Sequence, residues 1–263
     1  MQIGSNSIAQ TAVRAMHSAD AAMATASQRI STGLRINSAA DDPAGMALGN
    51  RLKTQITSMS KAMNNVNQGI AMTQIVDGSL SQISNVLSDM YSLAAYDSSN
   101  TYYSDLMQSY IDEIDNISKN ALWNGASLMY GSDAATTENI QSGPDSNNSI
   151  QIEFQQVDST ASLINLTSSS SASDIQDALD EVSDYQAYIG GMTNVLTFQS
   201  DALTSVSTAY SSAYGNTMNA DLAQETANLA AAQIQRDGAT AMLTQANSMN
   251  KEIVAFLLKS VTN

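Results

Sequence analysis

The sequence predicts a mainly α protein: a long coiled-coil-like helical rod with an amphipathic small-residue helix at each end and a small β-hairpin in the centre. Three observations predict this. Both ends carry alanine-rich apolar stripes, two long inner stretches keep a hydrophobic period of three and four, and the middle alone alternates with period two.

At the N-terminal end Ile8, Ala12, Ala15, Ala19, Ala22 and Ala26 follow at spacings of 4, 3, 4, 3 and 4, the seam of a coiled coil with very small knobs. At the C-terminal end Leu222, Ala223, Ala227, Leu229, Ala230, Ile234, Ala241 and Ala246 form a comparable face. Small residues let two helix backbones approach closely, but each alanine buries little area at about 25 cal/mol per Å². Such a pair is marginal alone and gains from added copies, so oligomerisation is expected.

Between the ends, Ile56, Met59, Met63, Val66, Ile70, Thr73, Val76, Leu80, Ile83, Leu87, Met90 and Ala94 step by three and four. One slip falls at Val76, where strict register would select Asp77. A helix of about 40 residues is implied. Ile175, Leu179, Val182, Ile189, Met192, Leu196, Leu203, Val206 and Tyr210 repeat the pattern in the second half, with Gln199 inside the stripe. A shorter helix is expected near Asp105 to Lys119, on a face of Leu106, Tyr110, Ile114 and Ile117.

The centre changes period. Ile150, Ile152 and Phe154 alternate with Gln151, Glu153 and Gln155, which reads as a half-buried strand after a turn at Gly143-Pro144-Asp145. Leu163, Ile164 and Leu166 supply the expected second strand, and Asp174 the cap of the next helix. Earlier, Gly33 can end the first helix, while Asp42-Pro43 offers an N-cap and an N1 proline for the second.

Charge is unevenly spread within the total of -15: residues 1–61 carry +3, residues 236–263 carry +1, and the middle carries -19 with Lys119 its only base. No basic patch is available to displace counterions from phosphates, so no nucleic-acid partner is expected. The absence of cysteine excludes disulfides and thiolate metal sites. Residues 1–7 lack the charged start and apolar stretch of a secretory signal, and the longest apolar run, Ile253 to Leu258, is far short of a bilayer span. Residence in the cytoplasm is the face-value expectation, and no membrane insertion is foreseen. Catalysis is not expected either: the single histidine, His17, lies beside the alanine seam, and Asp112, Glu113 and Asp115 sit on a helix pattern without a companion base. Asp145 and Asn147 fail as a calcium loop, because its twelfth position would be Gln156 and the required glycine is missing. Neither cofactor nor metal is expected.

The stretch from Ser31 to Gly45, S-T-G-L-R-I-N-S-A-A-D-D-P-A-G, resembles the N-terminal signature of bacterial flagellins. Asn64-Asn65-Val66-Asn67-Gln68-Gly69-Ile70, Asp77-Gly78-Ser79-Leu80, Glu113-Ile114-Asp115 and Trp123-Asn124-Gly125 continue the likeness. At the other end Ala232-Gln233-Ile234, Gly238 and Leu243-Thr244-Gln245-Ala246-Asn247 are similar to the family's A-Q-I and L-A-Q-A-N elements.

The resemblance implies an extracellular filament subunit for bacterial motility, exported unfolded through the flagellum's own type III apparatus without a cleaved signal. It implies inner-tube helices at 1–45 and 220–263, a rod at 46–219 with its hairpin at about 138–168, and no outer variable domain. Inner-tube packing then falls to Ile8, Ala12, Ala15, Ala19, Ala22, Ala26, Leu222, Leu229, Ile234, Leu243, Phe256 and Leu257, and the linker signature to Gly33, Leu34, Arg35, Asn37, Asp41, Asp42, Pro43 and Gly45. Implied partners are further copies of the chain, hook-associated and cap proteins, and a cytoplasmic export chaperone on the C-terminal helix.

Where receptor-recognised flagellins read L-Q-R-V-R-E-L, Leu87 to Leu93 places Asp89 and Tyr91 at the arginines, ahead of Leu93, which implies weak or no Toll-like receptor recognition. The chain also departs from the family at Ala213 to Thr217, which lacks the basic A-R-S-R-I run, so some rod salt bridges are expected to be absent. A hook-filament junction protein would favour an S-T-G-K-R opening and a larger centre, and a membrane-active effector would need longer apolar segments; neither is seen.

Overall fold

The structure is a computed structural model that describes residues 6–97, 102–131, 137–145, 147–159, 161 and 163–261, with only the backbone of residues 97, 253 and 256–261. The elements run α1 (Ser7–Thr32), α2 (Pro43–Asp97), α3 (Tyr103–Asn120), β1 (Leu122–Trp123), β2 (Ala126–Ser127), β3 (Thr137–Gln141), β4 (Ser149–Glu153), α4 (Ala172–Met218) and α5 (Leu222–Val261). They form two compact units: Met1–Lys53 with Ser211–Asn263, and Thr54–Tyr210. These breaks fall inside α2 and α4, whereas the sequence reading places the boundaries at 45/46 and 219/220.

The second unit is built on heptads. On α2 the buried set is Met59, Val66, Thr73, Leu80 and Leu87 at one seam position, with Ala62, Gly69, Val76, Ile83 and Met90 at the other, each at intervals of seven. The expected slip at Val76 therefore does not exist. Reading by bulk selected Met63 and Ile70, which are half-buried, where the seam actually uses their small neighbours Ala62 and Gly69. Gly69 leaves room for Ile140 and Leu196, which would lie 3.2 and 3.3 Å from any Cβ placed there. On α4, Ile175, Val182, Ile189, Leu196 and Leu203 are buried at intervals of seven, and Gln199 donates to the Ser142 carbonyl at 2.9 Å, which explains a polar residue in that stripe. Val206, expected in the same stripe, is 39% exposed.

The buried face of α3 is Met107, Ile111, Ile114 and Ser118: Ile114 is buried as expected, but the other three places pass to the next residue, leaving Tyr110 and Ile117 half-buried and Leu106 exposed. The Ser118 hydroxyl donates to the Val157 carbonyl, while the Asp115 carboxylate accepts from the Ser159 N–H at 2.8 Å and hydroxyl at 3.2 Å. These bonds tie the chain after β4 back onto α3.

Two antiparallel pairs cover the helices. β1 and β2 pair across Asn124-Gly125, whose φ values of 50° and 84° give the two left-handed positions that an Asn-Gly hairpin turn supplies. The larger hairpin pairs β3 with β4, Ile140 opposite Ile150. Its second strand thus precedes the turn instead of following it. Leu163, Ile164 and Leu166 form no strand, and Ile164 and Leu166 are buried in the core as irregular chain. The far edge of β4 is closed by tyrosines: the N–H groups of Glu153 and Gln155 donate to the hydroxyls of Tyr188 at 3.1 Å and Tyr185 at 2.9 Å. The two rings stack with centroids 6.3 Å apart, and burial pushes the Tyr185 phenol up to about 12. Helix α4 is capped by Ser171, whose hydroxyl accepts from the Asp174 N–H while Asp174 takes back the Ser171 N–H at 2.8 Å. Asp174 is therefore the returning half of a capping box and not the cap itself.

Candidate functional site

The first unit brings the two ends of the chain together. α1 and α5 run antiparallel, with Asn6 Nδ2 donating to the Ala246 carbonyl at 3.0 Å, Arg236 facing Asp20 at 3.3 Å and Arg29 facing Glu225 at 3.1 Å. Their backbones come close along the pair. The contact is a ladder of alanines at intervals of seven: Ala12, Ala19 and Ala26 on one side, Ala232, Ala239 and Ala246 on the other, all buried. Alanine alone permits that spacing without a glycine's loss of helix propensity.

One rung of the ladder is ionic. Glu225 continues the alanine register of α5, is 7% exposed, and accepts from Arg29 through one oxygen and from Asn228 through the other. It lies too far from the alanine run in composition to be selected by a hydrophobic reading, although its spacing of seven from Ala232 is visible in the sequence.

Most of the predicted seam stays outside the ladder. Ile8 is 47% exposed, Leu222 51% and Ile234 72%; Ala15 and Ala22 are exposed, and Leu229 and Leu243 are half-buried. The side chains of Phe256 and Leu257 lie outside the described residues. Two open grooves follow the helix pair. One, of about 510 Å³, is lined by Ile8, Thr11, Ala15, Gln235, Ala239 and Met242. The other, of about 480 Å³, is lined by Ala22, Ala26, Arg29, Glu225, Asn228 and Ala232. A sizeable apolar surface thus remains uncovered within the single chain.

The linker docks as a short strap. Gly33, at φ 71°, ends α1, and its N–H returns to the Arg29 carbonyl. Leu34 bridges Asn219, the Arg35 N–H donates to the Met218 carbonyl at 2.7 Å, and the Arg35 guanidinium to the Thr217 carbonyl at 2.8 Å. Asp41 gathers the N–H groups of Asn37 and Ser38 and the Ser38 hydroxyl on one oxygen, and these bonds, led by the Ser38 N–H, hold its carboxyl below the usual carboxylate value. Asp42 caps α2 by accepting from the Gly45 N–H at 2.9 Å, with Pro43 as the first helical residue. Beneath the strap Ile36 is buried, and a Cβ on Gly45 would collide with Ile36 and Asp42. The signature residues therefore build a joint between α4 and α5 and the start of α2.

In the second unit Asp89 and Tyr91 are exposed on α2, Leu93 is half-buried, and Met90 between them is buried.

A helical chain whose most developed surface is an open apolar pair of terminal helices defines a structural subunit. The residues bear this out in comparison with known proteins: the N-terminal helical region of bacterial flagellin matches residues 3–134 and its C-terminal helical region matches residues 172–257. A flagellin of Halalkalibacterium halodurans is 29% identical over 88% of this chain and 90% of its own length. A flagellin of Salmonella derby is 28% identical over 86% of this chain and 46% of its own, and one of Escherichia coli 32% identical over 59% and 32%. The chain belongs to the bacterial flagellin family, whose members are structural subunits of the flagellar filament. It spans most of the bacillar relative but less than half of the enterobacterial ones. No described helix is long and apolar enough to cross a membrane.

Proposed function

We propose that this chain polymerises with copies of itself into the extracellular flagellar filament, with residues 1–45 and 220–263 forming the inner tube and residues 46–219 the surrounding rod. The observation that carries the reading is the uncovered apolar face beside the closed alanine ladder, above all Ile234 at 72% exposure. A solitary exposed isoleucine means little, but Ile8, Ala15 and Met242 leave a second uncovered apolar surface, a groove along the same helix pair. Contacts from several neighbouring copies would cover these residues and offset the cost of ordering the terminal helices.

Seeded elongation followed by light scattering and electron microscopy tests this. Ile234→Asp should keep the α1–α5 pair, because that side chain points away from the ladder, yet stop elongation. Truncation after Gln233, which removes Ala239 and Ala246 from the ladder, should leave a folded rod that does not elongate. Elongation of the Ile234→Asp protein at the normal rate would refute the assignment of the inner tube.

The resemblance supports further parts of the reading. The subunit leaves the cell unfolded through the flagellar type III apparatus without a cleaved signal, held beforehand by a cytoplasmic chaperone on the C-terminal helix, where Phe256 and Leu257 supply apolar anchors. Phe256→Asp with Leu257→Asp should abolish that binding in calorimetry. Hook-associated and cap proteins flank the polymer. Toll-like receptor recognition is weak, since Asp89 and Tyr91 stand where recognised flagellins carry arginines; Asp89→Arg with Tyr91→Arg should raise the response of reporter cells.

A further inference from the structure

We infer that the second unit contains a built-in compliant layer, at Thr73 and Thr193 with Gly78, Gly190 and Gly191, where α2 and α4 open and bend more readily than in the layers on either side. The inference concerns the isolated subunit and does not depend on polymerisation.

Two independent departures from good helix packing meet at one level. The first is in the seam. Among the α2 seam residues from Met59 to Met90, Thr73 is the only one with a polar side chain, and it is fully buried. Its hydroxyl donates to the Ile70 carbonyl and accepts from Thr193 at 2.9 Å, while Thr193 also reaches the Ile189 carbonyl. A valine pair of the same shape would keep the volume and remove four polar demands, so the threonines forgo apolar stabilisation at this rung. A polar residue at such a position fixes register at a cost in stability.

The second departure is in the backbone. Gly69 of α2 is filled by Ile140 and Leu196, but Gly78, Gly190 and Gly191 have nothing within 4 Å of the position a Cβ would take. None has a positive φ, so none is required by the local conformation. Each lowers helix propensity with no packing return inside the chain. The contacts Thr73–Thr193 and Asp77–Gln186 show that the helices pass each other here, which puts all three glycines and the threonine pair within about two helical turns. Paired small residues are also where helices bend.

Backbone hydrogen exchange of the full-length monomer tests the layer. Amides of residues 74–80 and 187–193 should exchange at least tenfold faster than those of 81–90 and 176–185. Gly78→Ala, Gly190→Ala and Gly191→Ala should each slow exchange at that level about four- to fivefold, the propensity difference converted at tenfold per 1.4 kcal/mol. Thr73→Val with Thr193→Val should slow it as well while leaving the flanking layers unchanged. Uniform protection along α2 and α4 overturns the inference. So does a set of alanine variants that exchange like the parent but fail to elongate on seeds, which would mean that the glycines make room for a neighbouring copy.

Discussion

In the first unit helices meet on alanine; in the second they meet on leucine, isoleucine, valine and methionine. Ala12, Ala19 and Ala26 against Ala232, Ala239 and Ala246 bring two backbones close and bury little area per residue. Leu80, Ile83, Leu87 and Met90 with Ile175, Ile189 and Leu196 are fully buried and also collect Met107, Ile114 and Ile152 from α3 and the hairpin. The charge divides with the packing. Residues 54–210 hold eighteen acidic and two basic residues, a net of -16, and the remainder holds seven and eight, a net of +1. The second unit is a closed core under a strongly charged exterior. The first is nearly neutral and leaves Ile8, Leu222, Ile234 and Met242 in the open. Repulsion between copies would fall on the unit that already has its own core, and the near-neutral unit is the one with surface left to bury.

The contrast can be broken most severely in the second unit. Leu87→Ala removes a fully buried side chain from the seam and should cost about 2–5 kcal/mol in denaturant unfolding followed by circular dichroism. By comparison, Ala19→Gly in the ladder should cost only about 1 kcal/mol, mostly as lost helix propensity. Equal losses would mean that the two units share one core.

Alkaline pH should act next, through Tyr185 of the second unit. The Tyr185 phenol is pushed up to about 12 from an ordinary value of 10.0, chiefly by burial, so the folded state favours the protonated form. Its contribution is fully present below pH 10 and is lost as pH rises toward 12, amounting to about 2–3 kcal/mol at most. Unfolding monitored by tyrosinate absorbance should show the hairpin's contacts with Tyr185 and Tyr188 failing in that window; a flat profile from pH 9 to 12 would contradict it.

Within the first unit the ionic rung sets the scale. Glu225→Ala strands Arg29 beside the ladder and should cost about 2 kcal/mol, less than for a fully buried pair because the Arg29 side chain keeps 28% of its exposure. The exposed Asp20–Arg236 pair is the control, and Asp20→Asn should change stability by at most about 0.5 kcal/mol.

The smallest effect belongs to the linker. Asp41 is held below 3.8 by backbone hydrogen bonds, so the strap's contribution is present above the unfolded value and is lost as pH falls through the lower folded one. Carboxylate titration by NMR should place Asp41 below an exposed aspartate, and Asp41→Asn should loosen Asn37 and Ser38 without melting α1 or α2.

Much of this was legible in the residues because periodicity and capping are local. Gly33 as the end of α1, Asp42-Pro43 as the start of α2 and the two long helices follow from turn chemistry and from hydrophobic repeats. The seam of α2 was misread at Met63 and Ile70 because a hydrophobic scale ranks bulk, while a seam ranks fit, and Ala62 and Gly69 fit. On α5 the residues that close on α1 are Ala232, Ala239 and Ala246, while Leu222 and Ile234 stay exposed within the chain; a hydrophobic pattern does not separate a face used inside the chain from one left open. The Asn124-Gly125 hairpin carried a clear turn signal that its two-residue strands were too short to support by periodicity.

By itself, then, the sequence determined the helical class, the end of α1 and the start of α2, the charge division and, through the Ser31 to Gly45 signature, the family. These are properties of residues near one another in the chain. Tertiary structure alone decided that β3 and not 163–166 pairs with β4, that Glu225 joins an alanine ladder to meet Arg29, 196 residues away, and that Gly69 is filled while Gly78 is open. Pairing, burial of a charge and the space around a missing side chain depend on which distant segments arrive at the same place, and no local pattern carries that information.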